Sequence, residues 1–190
     1  MKHFKLIPFL VLLFVVAVSC DSDDGPPQVI NESEVITTMS ITLDAGGGDV
    51  VTMTSLDADG PDGPTPPANI VVGDLTAGAT YSGSIVLLDE SDPNDIENIT
   101  LEVEEEDLEH QFYFCVTALD ASVSGENLDS EGNVLGTMFT LTVGNAGSGT
   151  LTFTLLHDGD KEATVDGCNV SSSAQAGEID IEQTFSVDIL

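Results

Sequence analysis

Two histidines, His110 and His157, form the one constellation in this chain that could select a transition metal. His110 directly precedes an apolar run that begins at Gln111, and His157 directly follows a run that ends at Leu156. If these runs are strands paired antiparallel, both imidazoles fall at one rim of a sheet, with Glu106, Glu109 and Asp158 within reach. Two imidazoles and a carboxylate, Glu109 or Asp158, are ligands for Zn²⁺ or Cu²⁺. The plainer alternative is two unrelated strand-end histidines, each paired with a nearby carboxylate, because sequence alone does not establish that the strands are neighbours.

Oxygen chemistry is suggested elsewhere. Asp57, Asp59 and Asp62 alternate with small residues and glycines in DADGPDG, and a short loop of this kind can wrap carboxylates around Ca²⁺. Ordinary solvated Asp-Gly turns are the competing reading in so acidic a chain. A second stretch, Asn127 to Gly132, matches the opening of an EF-hand loop but has Met138 where the twelfth-position Glu should stand. For catalysis there is no G-x-S-x-G, no H-E-x-x-H and no phosphate-binding loop, and no carboxylate pair stands out from its neighbours, so the expectation is a protein that is not an enzyme.

The cysteines divide by role. Lys2 and Lys5, the apolar run Ile7 to Val18 and the small residues before Cys20 compose a lipoprotein signal, whose cysteine would carry diacylglycerol and become the mature N-terminus. That run is shorter than the roughly 20 apolar residues a retained span needs. Residues 1–19 are therefore read as signal peptide, 20–33 as a lipidated acidic tether, and 34–190 as one domain, with the membrane as partner through the lipid. Cys115 and Cys168 then remain in a compartment that permits a disulfide; a free buried Cys115 inside FYFCV is an equally natural reading.

Charge narrows the partners. Residues 1–19 hold two of the chain's three basic side chains and no carboxylate, which leaves Lys161 against 34 Asp and Glu. Nucleic acid is excluded, because phosphate recognition requires Lys and Arg. Two tyrosines and no tryptophan provide no aromatic platform for sugars.

The elements that must position these residues alternate with period two. Val35, Thr37, Met39, Ile41 and Leu43 share a face; Gly46-Gly47-Gly48 turns the chain into a strand from Val50 to Leu56; Ser82 to Leu88 is another. Met138 to Val143 and Thr150 to Leu156, joined by GNAGSG, read as a hairpin. The last strand alternates Ile179, Ile181, Phe185, Val187 and Ile189 with Asp180, Glu182, Thr184, Ser186 and Asp188. In 92–109, Asp92-Pro93 followed by Ile96, Ile99 and Val103 predicts one short helix, although Ile99, Leu101 and Val103 also suit a strand. The fold expected is mainly β, an antiparallel Ig-like or fibronectin-like β-sandwich with one short helix. Leu75-Thr76-Ala77-Gly78-Ala79-Thr80-Tyr81 resembles the tyrosine corner of such sandwiches, with Ala77 where Pro is usual.

Over nearly all of the mature chain, the acidic DSDD after Cys20, EVITTMSITL, LTAGATYSGSIVLLDES, DIENITLEVEEEDLEHQFYF, LTVGNAGSGTLTFTLLHDGDK and GEIDIEQTFSV resemble a group of flavobacterial (Bacteroidetes) surface lipoproteins often named "type 1 periplasmic binding fold superfamily protein". That name denotes a two-domain α/β fold, whereas the alternation here favours a β-sandwich. The group carries no assigned activity. The resemblance implies an outer-membrane lipoprotein facing the cell surface, with a periplasm-facing one as the alternative. It also implies a non-enzymatic binding module, accessory to a TonB-dependent outer-membrane receptor in metal or nutrient capture; a structural or adhesive surface protein is the alternative.

Overall fold

The computed structural model describes residues 34–60, 63–163, 167–171 and 175–190; Cys20 and Asp62 lie outside them. Nine strands and one helix are formed among these residues: β1 (Thr38–Gly46), β2 (Asp49–Leu56), β3 (Ala68–Val72), β4 (Thr80–Leu88), α1 (Ile99–Glu105), β5 (His110–Thr117), β6 (Ala121–Ser124), β7 (Met138–Val143), β8 (Gly147–His157) and β9 (Glu178–Ile189). They make a six-stranded sheet in the order β3-β2-β1-β4-β7-β6 and a three-stranded sheet β5-β8-β9, antiparallel throughout. This is the expected β-sandwich with one short helix.

Alternation decides which side chains enter the core. Met39, Ile41 and Leu43 of β1 are fully buried, as are Met53 of β2 and Leu87 of β4. The second sheet answers with Phe112, Leu155, Phe185 and Val187. Phe139 of β7 meets Phe114 and Phe153 of the opposite sheet at ring-centroid distances of 4.8 and 5.9 Å, so the two layers interlock through aromatics. Gly83 of β4 stands in register with Phe139 and leaves the room its ring occupies. The Gly46–Gly48 turn is formed as expected, with all three residues at positive φ, where glycine is unstrained.

Tyr81 is fully buried, and its hydroxyl accepts the Thr76 N–H at 2.9 Å while donating to Asp49 at 3.0 Å. Leu75 bonds to the end of β9, accepting from Leu190 N and donating to Asp188 O. The corner therefore fastens one sheet to the last strand of the other. A disulfide joins Cys115 on β5 to Cys168.

Two local expectations are corrected. The segment joining β7 to β8 does not close a hairpin: β7 pairs with β4 and β6, whereas β8 pairs with β5 and β9, so the glycine-rich link carries the chain between sheets. Asp120 holds it by accepting from Asn145 N. The helix in 92–109 starts later than Asp92. Asp92 closes its own turn by accepting the Asn94 N–H, and Asn98 caps α1 by accepting from Thr100 N. The helix seats Ile99 and Val103 in the core, and Thr100 Oγ1 accepts the Leu87 N–H at 2.7 Å.

Among the described residues no helix is long and apolar enough to cross a membrane.

Candidate metal centre

The adjacency on which the metal reading depends is present. His110 opens β5, His157 closes β8, and the two are direct register partners. Their rings lie 4.5 Å apart, tilted by 30°. They are not on an open rim, however: His110 is 0 % exposed and His157 5 %.

Two carboxylates that the sequence reading did not single out complete the cluster. Glu34 comes from the lead-in to β1, a segment pinned by the bonds Thr37 N to Leu88 O and Asp57 N to Thr37 O. Asp180 comes from β9, where simple alternation would have faced it outward. There the register jumps, with Leu155 opposite Ile181 and Leu156 opposite Ile179, so Asp180 has no partner of its own. A bulge of this kind re-aims a side chain. It turns Asp180 inward, leaving the side chain 1 % exposed, and it leaves Ile179 outside.

The four side chains alternate around a ring. His110 Nε2 lies 3.1 Å from Glu34 Oε1 and 3.9 Å from Asp180 Oδ2. His157 Nδ1 lies 3.8 Å from Glu34 Oε2 and 3.7 Å from Asp180 Oδ1. One ligand atom from each falls within 4.8 Å of all the others. A tetrahedral Zn²⁺ site with bonds of about 2.0–2.2 Å has ligand–ligand edges of about 3.3–3.6 Å, so small movements of the side chains would close the site on an ion.

The outward nitrogens also suit a metal. His110 Nδ1 faces the Glu106 carbonyl at 3.2 Å, and His157 Nε2 faces Glu109 Oε2 at 3.7 Å. Metal-bound histidines characteristically give their second nitrogen to a carbonyl or carboxylate, which fixes tautomer and ring orientation. Glu109 thus belongs behind the ring, half exposed. With His157 and Asp158 it forms a second, outer group of possible ligands, while Glu106 contributes its carbonyl to the centre.

Charge makes the centre demanding. Two carboxylates lie almost completely buried, and Glu34 Oε2 and Asp180 Oδ2 have no hydrogen-bond partner. Burial, followed by the Glu34 charge, pushes the Asp180 carboxyl up to about 6, against the attraction of the two imidazoles. Burial works to lower His110, but the hydrogen bond and charge of Glu34 outweigh it and raise its pKa. Glu34 is itself held below its ordinary value: burial opposes ionisation, and the His110 hydrogen bond prevails. Both nitrogens of His110 face oxygen acceptors, an arrangement that favours its protonated form and agrees with the raised pKa. A divalent cation can take the place of such protons and neutralise both carboxylates at once.

The calcium candidates are not gathered into a site among the described residues. Asp59 Oδ2 accepts the Thr65 N–H and so braces its own loop, with the Asp57 side chain beside it; Asp57 also lines one cavity with Asp180, and Asp62 lies outside the described residues. In the EF-hand-like stretch an ammonium stands where a cation would be bound: Asp129 pairs with Lys161 Nζ at 2.9 Å and accepts from Glu131 N and Asn133 N.

No family model, curated protein or solved structure matches this chain.

Proposed function

We propose that this protein is a non-enzymatic metal-binding module, anchored to the outer membrane through lipid on Cys20, that holds Zn²⁺ through Glu34, His110, His157 and Asp180. The observation that carries the reading is the ring of two imidazoles alternating with two buried carboxylates, each carboxylate keeping one oxygen without a hydrogen-bond partner. Four protein ligands leave no open position for a substrate, the arrangement of a holding or structural site rather than a catalytic one. Two imidazoles and two carboxylates suit Zn²⁺ ahead of softer ions, with Cu²⁺ as the competitor. From the resemblance to surface lipoproteins alone, we further propose that the metal is captured beside an outer-membrane receptor.

Titration calorimetry tests it. Wild type takes up one Zn²⁺ with proton release, and affinity falls as pH drops, beginning above the roughly 6.5 of a free imidazole because Glu34 makes the His110 proton harder to displace. The His110→Ala, His157→Ala double variant loses that uptake. Equal uptake by both proteins would assign the ion to scattered surface carboxylates and end the proposal.

A further inference from the structure

A buried ion needs a way in, and the molecule has a cavity of about 230 Å³ against one wall of the centre. Exposed Pro67 and Glu182 stand at its rim, whereas its floor includes Ser55, which is 2 % exposed, and Asp180. The cavity lies at the seam between sheets, beside the point where Asn69 of β3 donates to the Thr184 carbonyl of β9 at 2.9 Å.

Two carboxylate oxygens at this cavity are buried and have no hydrogen-bond partner, Asp57 Oδ1 and Asp180 Oδ2. Unsatisfied buried acceptors are costly, and both belong to residues that line this one cavity. Asp180 belongs to the cavity and to the metal ring at once, so an ion that reaches it here is already in contact with a ligand.

The alternative approach, over Glu109 and Asp158, meets His157 from its Nε2 side. The inner ring uses Nδ1 of the same imidazole, so the ring plane itself stands between that surface and the centre.

We propose that this cavity is the port through which a divalent cation enters and leaves, with Asp57 receiving the ion and passing it to Asp180. This rests on the metal-binding reading above. The Asp57 carboxylate faces the same cavity as Asp180 and attracts the arriving ion, and such steering is strongest at low ionic strength.

Stopped-flow mixing with Zn²⁺ alone, followed by competition with a chromophoric chelator, tests the port. Asp57→Asn keeps the shape and removes the charge; association slows about 3- to 10-fold at low salt, and the deficit narrows in 0.5 M NaCl. Asp95→Asn, an exposed change on another loop, leaves the rate at the wild-type value, which shows that total charge is not the cause. A wild-type rate in Asp57→Asn, or slowing in Asp158→Asn instead, overturns the port. Absence of Zn²⁺ uptake by wild type would be a different failure, that of the centre itself.

Discussion

Lys161→Met removes the single lysine or arginine among the described residues, and the cost can be worked out from its surroundings. The ammonium pairs with Asp129 at 2.9 Å and donates to the Asp107 carbonyl; the two side chains are 8 % and 0 % exposed. Breaking a buried pair by deleting one partner costs about 3–5 kcal/mol. Asp129 keeps two backbone N–H donors, at 2.8 and 3.0 Å, which places the expected loss at the lower end, about 3 kcal/mol, or about 6–12 °C in Tm for a domain of this size. Burial opposes ionisation of Asp129, but the Lys161 hydrogen bond and those N–H groups bring its pKa from 3.8 to about 2. A depressed carboxylate contributes stability that is present above its unfolded value and is lost as pH falls through its folded one. The difference between wild type and Lys161→Met, measured by urea unfolding at constant ionic strength, should therefore be full at pH 7 and shrink between pH 4 and pH 2 by at most about 2 kcal/mol, because the two N–H groups keep part of the depression in the variant. Loss below 1 kcal/mol at pH 7, or a difference that does not change with pH, would refute the reasoning.

Three further outcomes are expected. Tyr81→Phe leaves the Thr76 N–H and the Asp49 carboxylate without their shared hydroxyl and costs about 1–3 kcal/mol in urea unfolding. Gly83→Val puts a Cβ 2.4 Å from Phe139 Cζ, and that ring is hemmed in by Phe114 and Phe153, so about 3 kcal/mol should be lost, with near-ultraviolet dichroism reporting the displaced aromatics. Replacing Cys115 and Cys168 together by serine opens a bridge across 53 positions and removes about 4 kcal/mol, seen as a lower urea midpoint than that of the oxidised wild type.

Much of the fold could be read in the residues because period-two alternation is a local property. β1, β2, β4, β7 and β9 fall where their apolar residues place them, and LTAGATY marks a corner that the Tyr81 hydroxyl closes. Sheet membership is not local. Nothing in GNAGSG distinguishes a hairpin from a crossing between sheets; that is decided by which strands β7 and β8 find as partners. The same division runs through the centre. His110 and His157 could be found because both are rare residues at the ends of apolar runs, and Glu109 and Asp158 were found as their chain neighbours. Glu34 gives no signal beyond preceding an apolar alternation, and its partners are 76 or more positions away. Asp180 is hidden by the pattern that reveals β9, since a one-residue bulge reverses the facing of everything before it and appears only in the pairing with β8.

Zinc K-edge X-ray absorption on the protein loaded with one equivalent of Zn²⁺ tests the central claim most directly. The structure predicts four nitrogen or oxygen ligands at about 2.0–2.1 Å, with outer-shell scattering from two imidazoles that disappears in the His110→Ala, His157→Ala variant. A six-coordinate, all-oxygen shell without imidazole scattering would contradict it.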